Sequence, residues 1–134
     1  MKILQPPEWV KPKGYSNGII AKGETIFLAG VIGWDGQENF HSDCMAEQAQ
    51  QVLENIQIIL AEANAKPEHI VKMTWYITDK AEYLAKQKEM GAAYRSVMGK
   101  HYPAMAMLEV SALMEDKAKV EIEATAVIPD GSNI

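Results

Sequence analysis

From Lys119 to Val127 the chain alternates without a slip. Val120, Ile122, Ala124 and Ala126 fall on one side; Glu121, Glu123 and Thr125 fall on the other. A period of two is the signature of a β-strand with one buried face. Upstream, His101 to Val110 reads as a second strand. Ala106, Leu108 and Val110 share one side of it, and Met105, Met107 and Glu109 the other. A charged turn, Met114-Glu115-Asp116-Lys117, links the two runs, so they are expected to form a hairpin with one apolar face that needs a core. The other face mixes methionine with glutamate, which suits a crevice or a subunit contact better than open solvent.

The rest of the chain supplies the partners for that hairpin. Residues 1–14 hold Pro6, Pro7, Pro12 and Gly14 and read as an extended arm with little structure of its own. Tyr15 to Ala21 forms a short strand, and Lys22-Gly23-Glu24 is a turn. Thr25 to Ile32 is a continuous apolar run, expected to be a strand buried on both faces and to close an opening hairpin. Gly33 to Ser42 is a polar loop holding Trp34, which either packs on its own scaffold or walls a site.

Met45, Ala49, Val52, Leu53, Ile56, Leu60 and Ala63 recur at helical spacing and predict a helix over 43–63. Ser42 or Asp43 is placed to cap it, Asn64 to end it in the left-handed conformation, and Pro67 to forbid its continuation. His69 to Thr78 is a strand with Val71, Met73, Trp75 and Ile77 on one face. Asp79 and Glu82 predict the start of a second helix over 80–98, with Tyr83, Gln87, Met90, Tyr94 and Val97 inward and Gly99 at its end.

The order is strand, strand, helix, strand, helix, strand, strand: one α+β domain over residues 1–134 with a mixed sheet. Two helices cover one sheet face. The apolar second strand requires cover on the other, which points to further copies of the chain.

Composition narrows the function. The net charge is −5, and no stripe of Lys and Arg is present, which argues against nucleic acid as a partner. The single cysteine, Cys44, permits no internal disulfide. No stretch reads as a signal peptide or a membrane span, and a cytoplasmic location follows by default. His41 and Cys44 lie three apart without further ligands to make a zinc site, and nothing calls for a cofactor. Gly30-Val31-Ile32-Gly33 does not lead into a helix as a phosphate loop must, and no serine sits in a nucleophile motif. Glu121 and Glu123 leave two readings open. They are solvated glutamates, or they face a partly dry cleft where one carboxylate serves proton transfer.

Several stretches together resemble the RidA family, also called YjgF. They are Gly14-Tyr15-Ser16, Ile26 to Gly30, Gln48 through Ile56, Val71-Lys72 with Tyr76 to Asp79, Tyr102-Pro103-Ala104, and Val120 to Val127. They keep order and spacing over nearly the whole chain. The resemblance implies a chorismate-mutase-like fold and a homotrimer with small-molecule sites in clefts between subunits. It also implies hydrolysis of reactive imines and enamines to a carbonyl compound and ammonia. In the family an arginine after the Pro-Ala pair grips the substrate carboxylate. Here Met105 stands there, without charge or donor. Ala29 replaces a common serine, Gly91 a common asparagine and Met107 a common cysteine. The resemblance keeps Glu121 to hold the attacking water, Tyr15 to line the site and the backbone at Gly30 and Val31 to bind the ligand, with Met105, Met107, Gly91 and Trp34 as further walls. The expected substrate is a neutral or apolar imine, or an acid whose charge is met elsewhere, with Arg95, Lys100 and His101 as candidates. The alternatives are a binding or chaperone-like protein that has lost the reaction and, less favoured, an endoribonuclease.

Overall fold

A computed structural model describes residues 1–131. Seven strands and three α-helices follow one another as β1 (Lys2–Leu4), β2 (Gly18–Ile20), β3 (Gly23–Phe27), β4 (Val31–Ile32), α1 (Met45–Ala61), β5 (Ile70–Ile77), α2 (Lys80–Ala85), α3 (Gln87–Met98), β6 (Ala104–Glu109) and β7 (Val120–Pro129). A 3-10 turn, Pro67–His69, leads into β5. The main sheet runs β3-β7-β5-β6, with β4 also on β7. All its pairs are antiparallel except β5 with β6.

The alternating stretch is therefore the axis of the sheet, but it is not half of a hairpin. β5 lies between β6 and β7, and α2 and α3 carry the chain from β5 to a parallel β6. A parallel neighbour needs such a crossover, and this one leaves the charged turn to span a strand's width. The opening hairpin is also replaced. β2 pairs with β1 in a separate two-stranded sheet, so the arm of residues 1–14 contains a strand. The apolar run 25–32 divides into β3 and β4, which pair with opposite ends of β7.

That division is a β-bulge. Phe27 stands opposite Thr125 and Val31 opposite Ile122, so three residues on one strand face two on the other. The amide of Leu28 still donates to the Ala124 carbonyl at 3.0 Å, which leaves Ala29 and Gly30 as the irregularity. A second bulge at Val71 shifts the register of β5. Ile70 takes the fully buried place, and Val71 is only half-buried.

The core forms where α1 and α3 pack on one face of the sheet. Met45, Ala49, Val52, Leu53, Ile56 and Leu60 meet Ile70, Met73, Trp75, Val120, Ile122 and Ala126. Ala63, at the end of the predicted stripe, is half-buried. The predicted second helix breaks at Lys86, where φ is −118° and ψ 26°. Within it Met90 and Tyr94 are buried as expected, Gln87 is exposed, and Ala93 and Met98 join the core. Asn64, at φ 55°, terminates α1, and Gly99, at φ 60°, terminates α3. Cys44 rather than Ser42 or Asp43 is the N-cap residue of α1; Ser42 Oγ accepts a bond from the Cys44 amide at 2.9 Å.

The faces of β6 are reversed from expectation. Met105 and Met107 pack toward the core, whereas Ala106 and Leu108 are exposed on the opposite side of the sheet. The parallel register with β5 fixes this, because Met105 and Met107 align with Met73 and Trp75. Phe27, 81% exposed, lies on the same open side. The run 25–32 is thus buried on one face of a single chain. Among the described residues no helix is long and apolar enough to cross a membrane.

Candidate functional site

The β3–β4 bulge brings Gly30 against the side chain of Glu121. A Cβ built on Gly30 would meet Glu121 Cδ at 2.8 Å, which is closer than atoms pack. Glycine is the residue that lets backbone and carboxylate lie this close. Glu121 is half-buried at the edge of a groove of about 640 Å³, whose wall includes Gly30, Val31, Trp34, Asn55 and Met114. Glu123, two residues along the same face, is engaged differently. It is exposed and accepts a 2.7 Å bond from the Tyr76 hydroxyl, which pushes that phenol's pKa up.

Asn55, Ile58 and Ile59 of α1 form another wall of the groove. Asn55 Nδ2 donates to the carbonyl oxygens of Trp34, at 2.6 Å, and Ile32, at 3.3 Å, while Gln51 donates to Asn55 Oδ1. Trp34 packs at 5.7 Å on Phe40, so it both seats on its own loop and walls the groove. The loop is turned by Asp35, which accepts from the amides of Gln37 and Asn39 and pairs with His41 at 2.7 Å. The amide of Asn39 first, and then His41, holds the Asp35 carboxyl below the ordinary range. Gln48, 1% exposed, fixes the start of β7. It donates to the carbonyls of Ser42 and Lys117 and accepts from the Lys119 amide.

A second cavity, of about 370 Å³, opens under α2 and α3 beside β5 and β6. Met105, Met107 and Gly91 line it with Trp75, Met90, Tyr94 and Tyr102. Tyr94 stacks on Tyr102 at 5.4 Å and donates to the His101 carbonyl at 2.6 Å. Burial pushes the Tyr94 hydroxyl far above the usual phenol range, so it stays protonated. The rim is closed by Lys13 and Gly14. Ser16 holds that rim in place, because its amide donates to the Pro103 carbonyl at 3.0 Å and its hydroxyl to that of Tyr102.

The candidate residues thus divide into two groups within one chain. Glu121, Gly30, Val31 and Trp34 share the groove; Met105, Met107 and Gly91 share the cavity. Tyr15, 42% exposed, lines neither, although its neighbour Gly14 lines the cavity. Arg95 reaches the cavity. Lys100 does not line it, and the His101 ring bonds the Ile70 carbonyl through Nε2 at 2.6 Å. Sequence pattern does not single out Trp75 or Lys13. The tryptophan is indistinguishable there from any other inward residue of β5, and the lysine sits in an arm without periodicity. Asn55 has a signal: an amide on the buried side of a helix needs partners. Among the described residues, no cluster of three His, Cys, Asp or Glu side chains is placed to hold a metal ion.

Comparison with known proteins accounts for this architecture. Residues 9–128 match the family model described as Endoribonuclease L-PSP. A RutC family protein of Pyrococcus abyssi is 38% identical over 118 residues, covering 87% of this chain and 88% of the relative. Another from Synechocystis is 33% identical, covering 96% and 98%. Among solved structures, a Rid-family protein of unknown function from Yersinia pestis superposes with a TM-score of 0.83 at 25% identity, covering 95% of this chain and 98% of that one. RidA of an Antarctic Psychrobacter gives 0.68 at 26%, covering 96% and 100%. Sequence and superposition agree, and the chain belongs to the RidA/YjgF family, to which the name RutC is also applied.

Proposed function

We propose that this chain assembles as a homotrimer, binds a small metabolite where subunits meet, and hydrolyses an imine or enamine to a carbonyl compound and ammonia. The observation that carries the reading is the seat of Glu121. A half-buried carboxylate lies against a backbone that has no side chain to crowd it, at the edge of an open groove walled by Trp34 and Val31. The separation of the groove from the Met105 cavity also supports it. The groove holds the carboxylate and the cavity holds Met105, Met107 and Gly91, and in this reading a cleft that joins the two is built from two chains.

In this reading Glu121 accepts a hydrogen bond from a water molecule. The water oxygen attacks the imine carbon, its proton passes to Glu121, and the C=N π electrons move to nitrogen, which is protonated in turn. The carbinolamine then collapses. Glu121, having passed its first proton to the nitrogen, takes the hydroxyl proton; the C–N bond breaks, and ammonia departs with that second proton. A positioned carboxylate of this kind contributes roughly 10²–10⁴-fold. Glu121→Gln keeps the shape and removes the base. Ammonia release from imines generated by an amino-acid oxidase is expected to fall about a hundredfold or more. Wild-type protein that leaves the spontaneous rate unchanged for every amino acid tested would instead support a binding protein, a reading that Met105 favours. The endoribonuclease reading has the groove against it. Asp35, Glu38, Glu115 and Glu121 line it, where a phosphate backbone requires cations.

A further inference from the structure

The cavity under α3 extends the deaminase reading, on which this inference rests, to the substrate's charge. Two charged residues line the cavity among the described residues, Lys13 and Arg95, and both are cations in a chain of net charge −5. Neither forms an ion pair among the described residues. Arg95 lies one turn beyond Gly91 on α3, and its Nη1 is 3.0 Å from where a Cβ on Gly91 would stand. The bare turn of helix is therefore the seat of the guanidinium. Trp75 lines the same cavity. It is 3% exposed and its indole N–H is closed to solvent, so the ring serves as an apolar wall. The remaining wall is apolar and adaptable, with Met90, Met105 and Met107.

We propose that Arg95 is the carboxylate anchor of this protein, and that its substrates are imino acids with bulky apolar side chains. The guanidinium grips the carboxylate from α3, with Lys13 as the second cation at the rim. The methionines and the Trp75 ring receive the side chain. Charge that Met105 cannot supply from β6 is thus supplied from the helix that faces it.

The test compares acid and neutral substrates of the same shape. Imines of leucine and phenylalanine are generated by an amino-acid oxidase. Their decarboxylated counterparts come from 3-methylbutylamine and phenethylamine with an amine oxidase. In Arg95→Gln the acid-over-neutral preference in kcat/KM is expected to fall about tenfold or more, with the loss in KM, and Arg95→Lys to fall between. An equal loss on acids and neutral imines would overturn the proposal by showing that Arg95 pairs with a neighbouring subunit or holds the fold. An unchanged preference would overturn it too; if Glu121→Gln is then still inactive, the deaminase reading survives alone. Should wild-type protein turn over nothing, that reading falls, and calorimetry with 4-methyl-2-oxopentanoate decides the anchor. Binding weakened about tenfold by Arg95→Gln supports the anchor; equal binding, or none, overturns it.

Discussion

Gly30 and Glu121 form the contact that most directly ties this sequence to the proposed chemistry. The alternation of β7 places Glu121 and Glu123 on one face, as the structure has them, but cannot separate their roles. Their partners separate them: Tyr76 engages Glu123, and the Gly30 backbone adjoins Glu121. Nothing in the period of β7 reports what a bulge on a neighbouring strand brings alongside. Gly30→Ala tests the contact. The added methyl would stand 2.8 Å from Glu121 Cδ, so the carboxylate must swing away. The expected outcome is a fall in kcat of about tenfold or more, with little change in the urea midpoint, because the carboxylate is the free end of a flexible side chain at an open groove. An alanine variant with wild-type kcat would show that the carboxylate's seat is irrelevant to the reaction. Arg95 illustrates the opposite limit. The resemblance makes it a candidate, because the arginine it implies is absent; its place in the cavity wall separates it from Lys100, which does not line the cavity, and from His101, whose ring bonds the Ile70 carbonyl.

Elements are legible in the sequence where the pattern is local, and hidden where pairing decides. α1 and β5 stand within a few residues of their predicted spans, because apolar spacing and the stop at Asn64 are local signals. The expected hairpins fail because neighbours in sequence are not neighbours in the sheet: crossovers insert β5 between β6 and β7. The faces of β6 are reversed for the same reason, since the strand's register follows β5, which its own sequence does not reveal. Glu82 is a clear case of a local motif put to distant use. Its amide bonds Asp79 Oδ1 at 3.0 Å, as a capping pair predicts. Its side chain instead accepts from the Met45 amide at the start of α1 and from Lys119 Nζ, both at 3.0 Å. A carboxylate there satisfies an orphan N–H and complements the helix dipole. Glu82→Ala should therefore cost about 1–2 kcal/mol, read as a lower urea midpoint with an unchanged slope. An unchanged midpoint would mean that neither bond matters to the fold.

The proposed assembly starts from the open face of the sheet. Phe27 is 81% exposed and Leu108 48%, on the side away from the helices. The apolar run 25–32 is covered on one face by this chain, and Phe27 is exposed on the other. The proposed site rests on the same assembly, because the groove carries Glu121 while the cavity carries Met105 and Arg95. Subunit complementation tests this most directly. Met105→Glu sets a carboxylate in the cavity and is expected to abolish turnover of imino acids, as Glu121→Gln does through the groove. Each inactive protein is unfolded and refolded alone and in an equal mixture with the other, and ammonia release is measured. If each cleft joins the groove of one subunit to the cavity of the next, every mixed trimer regains one intact cleft. The mixture then recovers about a quarter of wild-type activity. A mixture as inactive as its components would contradict the shared cleft and place the whole reaction within single chains.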